Sequence, residues 1–155
     1  MVPKWVRGEE SAKMVKPWSK NLAMLGLGGS IGTKSNGITA KVIAVSNFEE
    51  LANRSNEVKG KIVLFNVPFD TYSNTVKYRV RGAIEASKYG AVASLVRSVG
   101  TFSMNTPHTG NSSYEDGVKK IPHAAITIED ATMIGRILEN GQDVEAVSYT
   151  HLRAH

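Results

Sequence analysis

Two short apolar runs, Lys61-Ile62-Val63-Leu64-Phe65 and Ala91-Val92-Ala93-Ser94-Leu95-Val96, bracket a stretch with a different spacing. Neither run alternates apolar with polar residues, so both predict strands covered on two faces. Between them Val76, Val80, Ala83 and Ile84 recur at i, i+4, i+7 and i+8. That spacing draws one stripe down a helix over Val76 to Tyr89, with Lys77, Arg79, Arg81, Glu85 and Lys88 on the other faces. Asn74 or Thr75 is placed to cap the first turn, and Gly90 to end the helix in the left-handed conformation. Strand, helix and strand form a βαβ unit. Val63 and Leu95 are expected in the core of neighbouring strands, with Val80 and Ile84 packed over them.

The flanking sequence supplies further elements. Met1 to Ser11, dense in charge, reads as part of a lead-in segment, and Ala12 to Pro17 as a short edge strand. Asn21 to Gly26 predicts a strand, followed by a glycine-rich turn to Gly32. Ile38 to Ser46 is the longest β-type run, apolar on both faces. Ser46 and Glu49 form a capping box for a short helix. Gly100 to Lys120 is a long loop, of a length that is usually functional, mobile or docked. Ala124 to Thr127 predicts a strand, and Thr127 with Asp130 caps a helix carrying Ala131, Ile134, Ile137 and Leu138. Asp143 to Val147 is the expected last strand. Ser148 to His155 shows no apolar periodicity and is expected to be a disordered, non-native tail, which would make the chain a fragment. The predicted organisation is therefore a lead-in over 1–20, one domain over 21–147 and a tail over 148–155.

Composition narrows the chemistry. The chain has 155 residues, enough for one domain with a real core. There is no cysteine, hence no disulfide, thiolate zinc site or cysteine nucleophile. No apolar segment is long enough to span a membrane. The net charge of +5 is scattered, so no nucleic-acid partner is expected. The glycine turn fails the dinucleotide fingerprint, because Ile31 stands three places after Gly28. It also fails the phosphate-loop pattern, because Thr33 separates Gly32 from Lys34. It is better read as a tight turn needing positive φ.

No catalytic constellation emerges. His151 and His155 have the i, i+4 spacing of a helical metal pair, but Leu152 stands where a zinc protease of that type places its glutamate. His123, at a strand entrance, reads as structural, and His108 as a loop residue able to face a partner. The adjacent carboxylates Glu9-Glu10, Glu49-Glu50 and Glu129-Asp130 suit strand alternation or helix starts, not acid–base work. Asn53-Arg54-Ser55 and Asn111-Ser112-Ser113 match the N-glycosylation pattern, which matters only for a secreted chain.

With these segments in hand, the chain resembles the protease-associated domain. The resemblance rests on Val42-Ile43-Ala44-Val45 leading to Phe48-Glu49-Glu50-Leu51, on Gly60 to Phe65, on Gly82-Ala83 and Gly90-Ala91, and on Ile121-Pro122 before Ile126 to Ala131. Trp5 to Ala12, Leu25 to Thr33, Gly37 to Ala40, Tyr78-Arg79, Ala93 to Ser98, Pro107-His108-Thr109-Gly110 and Asp116-Gly117-Val118 look more narrowly like the carboxypeptidase Q-like branch of zinc exopeptidases. The resemblance implies a mixed α+β fold, a central sheet or open barrel-like sandwich with a βαβ unit and flanking helices. It implies a noncatalytic module that walls the peptide cleft of a secreted or lysosomal enzyme. Two zinc ions and the catalytic residues would belong to a separate catalytic domain, the partner of this segment, and the whole enzyme could be a homodimer. No metal or catalytic residue carries over to this chain. Pro107, His108, Thr109 and Gly110 are the expected docking or cleft-facing residues. The rival readings are a free-standing protease-associated binding module, as in sorting receptors, and, more weakly, a small nucleotide-binding enzyme.

Overall fold

The computed structural model describes residues 5–101, 104 and 106–154, with side chains from residue 8 to residue 150. The strands are β1 (Trp5–Lys16), β2 (Lys20–Leu22), β3 (Met24–Gly26), β4 (Ile38–Val45), β5 (Ile62–Phe65), β6 (Ala93–Arg97), β7 (His123–Ile126) and β8 (Glu145–Ala154). The helices are α1 (Phe48–Asn53), α2 (Tyr72–Lys88) and α3 (Ile128–Glu139), with a 3-10 turn at Ser55–Glu57. All eight strands form one sheet in the order β2-β1-β8-β4-β5-β6-β7-β3. Strands β4 to β7 are mutually parallel, while β1, β2, β3 and β8 add antiparallel pairs. The two edge strands, β2 and β3, are separated in sequence by Ala23 alone, so the sheet curls into a nearly closed barrel. The expected α+β fold with a central βαβ unit is the observed one.

Side-chain alternation splits the parallel strands between two cores. Ile62, Leu64, Ala93 and Leu95 face inward with Met14, Leu22 and Ala146, and α3 adds Ala131, Ile134 and Ile137. Val63, Phe65, Val96 and Ala125 face outward, covered by Tyr78, Ala83 and Ala86 of α2 and Leu51 of α1. The pairing puts Val63 opposite Ser94 and Leu64 opposite Leu95. Val63 and Leu95 are thus both buried, in adjacent strands, but on opposite faces, and Leu95 lies in the core that α3 joins. The face α2 buries is also rotated from the expected stripe. Thr75, Tyr78, Gly82, Ala83, Ile84 and Ala86 are buried, whereas Val76 and Val80 are half-buried. Small residues bring this helix close, and a Cβ on Gly82 would stand 2.9 Å from both Phe65 and His123.

Local chemistry moves several boundaries. The α2 cap is Thr71, whose hydroxyl accepts from Asn74 N–H at 3.3 Å, so the helix starts before Asn74. Its first turn is polar and left no apolar signal. Gly90 has φ +90° and does end it. Asn47, not Ser46, caps α1, accepting from Glu50 N–H at 2.6 Å, while the Glu50 carboxylate accepts from Ser46 N–H. Thr127 caps α3 as expected, accepting from Asp130 N–H.

The expected short edge strand is part of β1, which lies between β2 and β8. The single strand expected over Asn21 to Gly26 is broken at Ala23, whose N–H goes to the Asp130 carboxylate at 3.3 Å. That carboxylate, nearly buried, also takes Lys20 Nζ at 2.8 Å. Glu10 accepts from Gly26 N–H at 3.1 Å. These contacts tie the two edges of the barrel together. The last strand runs past Val147 to Ala154 against β1, with Ser148 and Thr150 buried, so the expected disorder beyond Val147 is not observed over these residues.

Candidate functional site

Successive parallel strands need a crossover that travels the length of the sheet. From β4 to β5 and from β5 to β6, helices α1 and α2 make it. From β6 to β7 the long loop makes it without a helix, which accounts for much of its length. Its second half is stitched down. Gly28 N–H donates to the Gly110 carbonyl at 2.9 Å, and Ser112 N–H to the Gly28 carbonyl at 2.8 Å. Ser113 N–H donates to the Val80 carbonyl at 2.9 Å. The half-buried Tyr114 hydroxyl donates to the Ile121 carbonyl and accepts from Ile31 N–H, and burial raises its pKa above the usual phenol value. The glycine turn therefore serves as a strut for this loop.

At the same end of the strands lies His123, wholly buried. Its Nε2 faces the Arg79 carbonyl at 3.0 Å, so Nε2 must carry the proton, and Nδ1 accepts from the Ser94 hydroxyl at 2.6 Å. Its own N–H donates to the Ser30 hydroxyl at 2.9 Å. Burial holds its pKa down at about 4. A serine–histidine pair at this distance has the shape of a nucleophile and base. Both side chains are about 1% exposed, so no substrate reaches them and the pair is structural.

The opposite end of the strands is open. Phe69, Tyr72, Val99, Thr101, Met104 and His108 line a shallow cavity of about 460 Å³ between the start of α2 and the first half of the loop. Tyr72 is 56% exposed and Met104 81%, two of the three large apolar side chains exposed among the described residues. Arg79 joins this end to the other one. Its Nη2 donates to the Tyr72 hydroxyl at 2.7 Å, and its guanidinium stands 5.6 Å from that ring's centre. The same guanidinium lies where a Cβ on Gly110 would be, so Gly110 is the residue that fits there.

The candidate docking residues divide between the two ends. Gly110 is tied to Gly28 and covered by Arg79. His108 is exposed at the cavity, its N–H held by the Ser98 hydroxyl at 2.9 Å. Pro107 is half-buried and Thr109 exposed. Asn53 and Asn111 are both exposed. His151 falls on strand β8 rather than a helix, so the i, i+4 metal pair has no helix to stand on, and His155 lies outside the described residues. Among the described residues no group of three or more His, Asp or Glu is placed to hold a metal ion. The donor set for a zinc site is therefore not found among them. No described helix is long and apolar enough to cross a membrane.

The Tyr72–Arg79–Gly110 contact and the Ser94–His123 pair were missed in the sequence. Tyr78-Arg79 and Pro107 to Gly110 entered the resemblance only as separate motifs, and no sequence signal joined them.

No family model matches the chain. It is 55% identical over 140 residues to carboxypeptidase Q of Homo sapiens, covering 90% of this chain and 30% of that relative. Among solved structures it is similar to a peptidase M28 precursor from Shewanella amazonensis SB2B, with 32% identity and a TM-score of 0.94 over 99% of this chain and 36% of that one. A zinc aminopeptidase from Bacillus subtilis shares the fold at a TM-score of 0.58 and 19% identity, covering 99% of this chain and 33% of its own. The chain spans 30% of the length of the carboxypeptidase Q relative, and over that span it is similar to carboxypeptidase Q and shares the fold of the matching part of a peptidase M28 precursor.

Proposed function

We propose that this chain is the noncatalytic, protease-associated part of a zinc exopeptidase, and that it walls one side of a cleft for dipeptides or short peptides. The observation that carries the reading is the high identity to carboxypeptidase Q over a segment without a described metal-ligand group. The cocatalytic zinc ions and the reacting groups then belong to the rest of the polypeptide, the catalytic domain that is this segment's partner. That two solved relatives of this fold are a peptidase and a zinc aminopeptidase supports this division. A secreted or lysosomal location follows from the same resemblance.

The open end of the strands is the proposed contact with that catalytic domain. Exposed apolar side chains gathered at one cavity are what a covered surface needs. His108 lines this cavity, Pro107 and Thr109 flank it in the chain, and Gly110, bonded to Gly28, anchors the loop that carries them.

The test compares the chain alone with a chimera in which it replaces the matching segment of human carboxypeptidase Q. With zinc supplied, the chimera should hydrolyse dipeptides and the chain alone should not. Hydrolysis by a clean preparation of the chain alone would sink the proposal, and so would a folded, zinc-loaded chimera without activity. The free-standing binding module has no separate observation in its favour.

A further inference from the structure

We infer that Asn53, and not Asn111, is the N-glycan acceptor of this chain. The inference rests on the lumenal location proposed above only for the chain's meeting the transferase. Both sites have the Asn-X-Ser pattern and both asparagines are exposed, so pattern and exposure do not separate them. Their surroundings do.

Asn53 is the last residue of α1, at a corner of the fold. The middle residue of its sequon is turned inward. Arg54 Nη1 donates to the Ala44 carbonyl at 3.0 Å and Nε to the Glu57 carboxylate at 3.0 Å. Arg54 thereby pins the turn and leaves the carboxamide of Asn53 on the outside. The hydroxyl-bearing Ser55 opens the 3-10 turn without capping it. Substituting the Asn53 side chain therefore displaces no packed group.

Asn111 is part of the loop's anchorage. It forms an isolated parallel bridge with Gly28, and its Oδ1 lies only 2.6 Å from where a Cβ on Gly28 would be. Its sequon partners are bonded through their backbones, Ser112 to Gly28 and Ser113 to Val80. An oligosaccharide on its carboxamide would be crowded against the glycine turn and would oppose closure of the bridge.

In the transfer, the Asn53 Nδ2 forms a bond to the anomeric carbon of an oligosaccharide carried on a polyprenyl diphosphate. The sugar–oxygen bond to the diphosphate breaks, the lipid diphosphate leaves with the electron pair, and the amide nitrogen loses one proton to a base. A glycan at Asn53 needs the α1 corner to stay uncovered, so the partner polypeptide must meet the chain elsewhere.

The chain is directed into the secretory route of cultured cells by a heterologous signal peptide. The secreted product is weighed before and after peptide N-glycosidase treatment, beside Asn53→Gln, Ser55→Ala and Asn111→Gln variants. The wild type and Asn111→Gln should each lose the mass of one oligosaccharide, and Asn53→Gln and Ser55→Ala none. A glycan that survives Asn53→Gln overturns the assignment, as does a secreted wild type that carries none. Because the supplied signal forces access to the transferase, either failure bears on the site alone. The lumenal reading is tested separately, by locating the natural gene product.

Discussion

The two ends of the parallel strands are built from the same strands and do opposite things. Where β7 begins, the glycine turn, the second half of the loop and α2 converge on His123, and the polar groups named there are hydrogen-bonded. Where β5 and β6 finish, Tyr72 and Met104 stand in solvent around a cavity. The first end needs no partner to cover it, since the buried polar groups around His123 are bonded within the chain, with Arg79 Nε and the Ser112 hydroxyl the exceptions. The second leaves apolar surface for something else to cover. The loop that links β6 to β7 belongs to both ends, which is why it is too long for a turn and too well anchored for a linker.

The closed end should give the largest response to damage. Replacing His123 with alanine leaves a cavity and removes the partners of the Ser94 hydroxyl and the Arg79 carbonyl. The loss expected is about 3 to 5 kcal/mol in a denaturant titration. A loss below about 1 kcal/mol would show that the network is dispensable.

Acid should act through the same residue. The folded-state pKa of His123, about 4, lies below its ordinary value of 6.5, so the unfolded chain takes up the proton first. Its contribution to stability is complete above about pH 6.5 and is lost as the pH falls toward 4, amounting to about 3 kcal/mol in all. His123→Gln should flatten that part of the pH–stability curve, though its starting stability will be lower. An unchanged slope between pH 6.5 and 4 would remove His123 as its source.

A smaller effect is expected at Gly82, where valine would press on Phe65 and His123. Overpacking of this kind should cost about 1 to 3 kcal/mol, read as a shift in the denaturation midpoint. A neutral result would mean that α2 can lift away from the sheet without penalty.

At the open end Met104→Ser should change the stability of the chain by no more than about 0.5 kcal/mol, as is usual for exposed positions. Tyr72→Ser should cost about 1 kcal/mol, because it removes the hydrogen bond from Arg79. In the chimera the same pair should lower dipeptide hydrolysis. Equal activity with and without them would remove this cavity from the proposed contact.

What was legible in the sequence follows from how each element is stabilised. The runs Ile62 to Phe65 and Ala93 to Val96 are buried on both faces and announced themselves by composition. The seam at Ala23 did not, because Asp130 makes it from more than a hundred residues away. The face of α2 was misjudged because Gly82 and Ala86 pack by being small, while Val76 and Val80 catch the eye by being apolar. Strand β1 hides its buried Ala12 and Met14 among the exposed Glu9, Lys13 and Lys16. Near the candidate site the resemblance singled out Pro107 to Gly110, of which His108 alone lines the cavity. Tyr72 and Met104 were not singled out, since an exposed apolar side chain has no periodic pattern to mark it.

The difference between the two ends is tested most directly by amide hydrogen exchange on the chain alone and within the carboxypeptidase Q chimera. Gly110 to Tyr114 should exchange slowly in both. Asp70 to Ser73 and Val99 to Thr101 should exchange fast in the chain and become protected in the chimera. Protection that is the same in both proteins at the open end, or that rises at Gly110 to Tyr114 instead, would contradict the account.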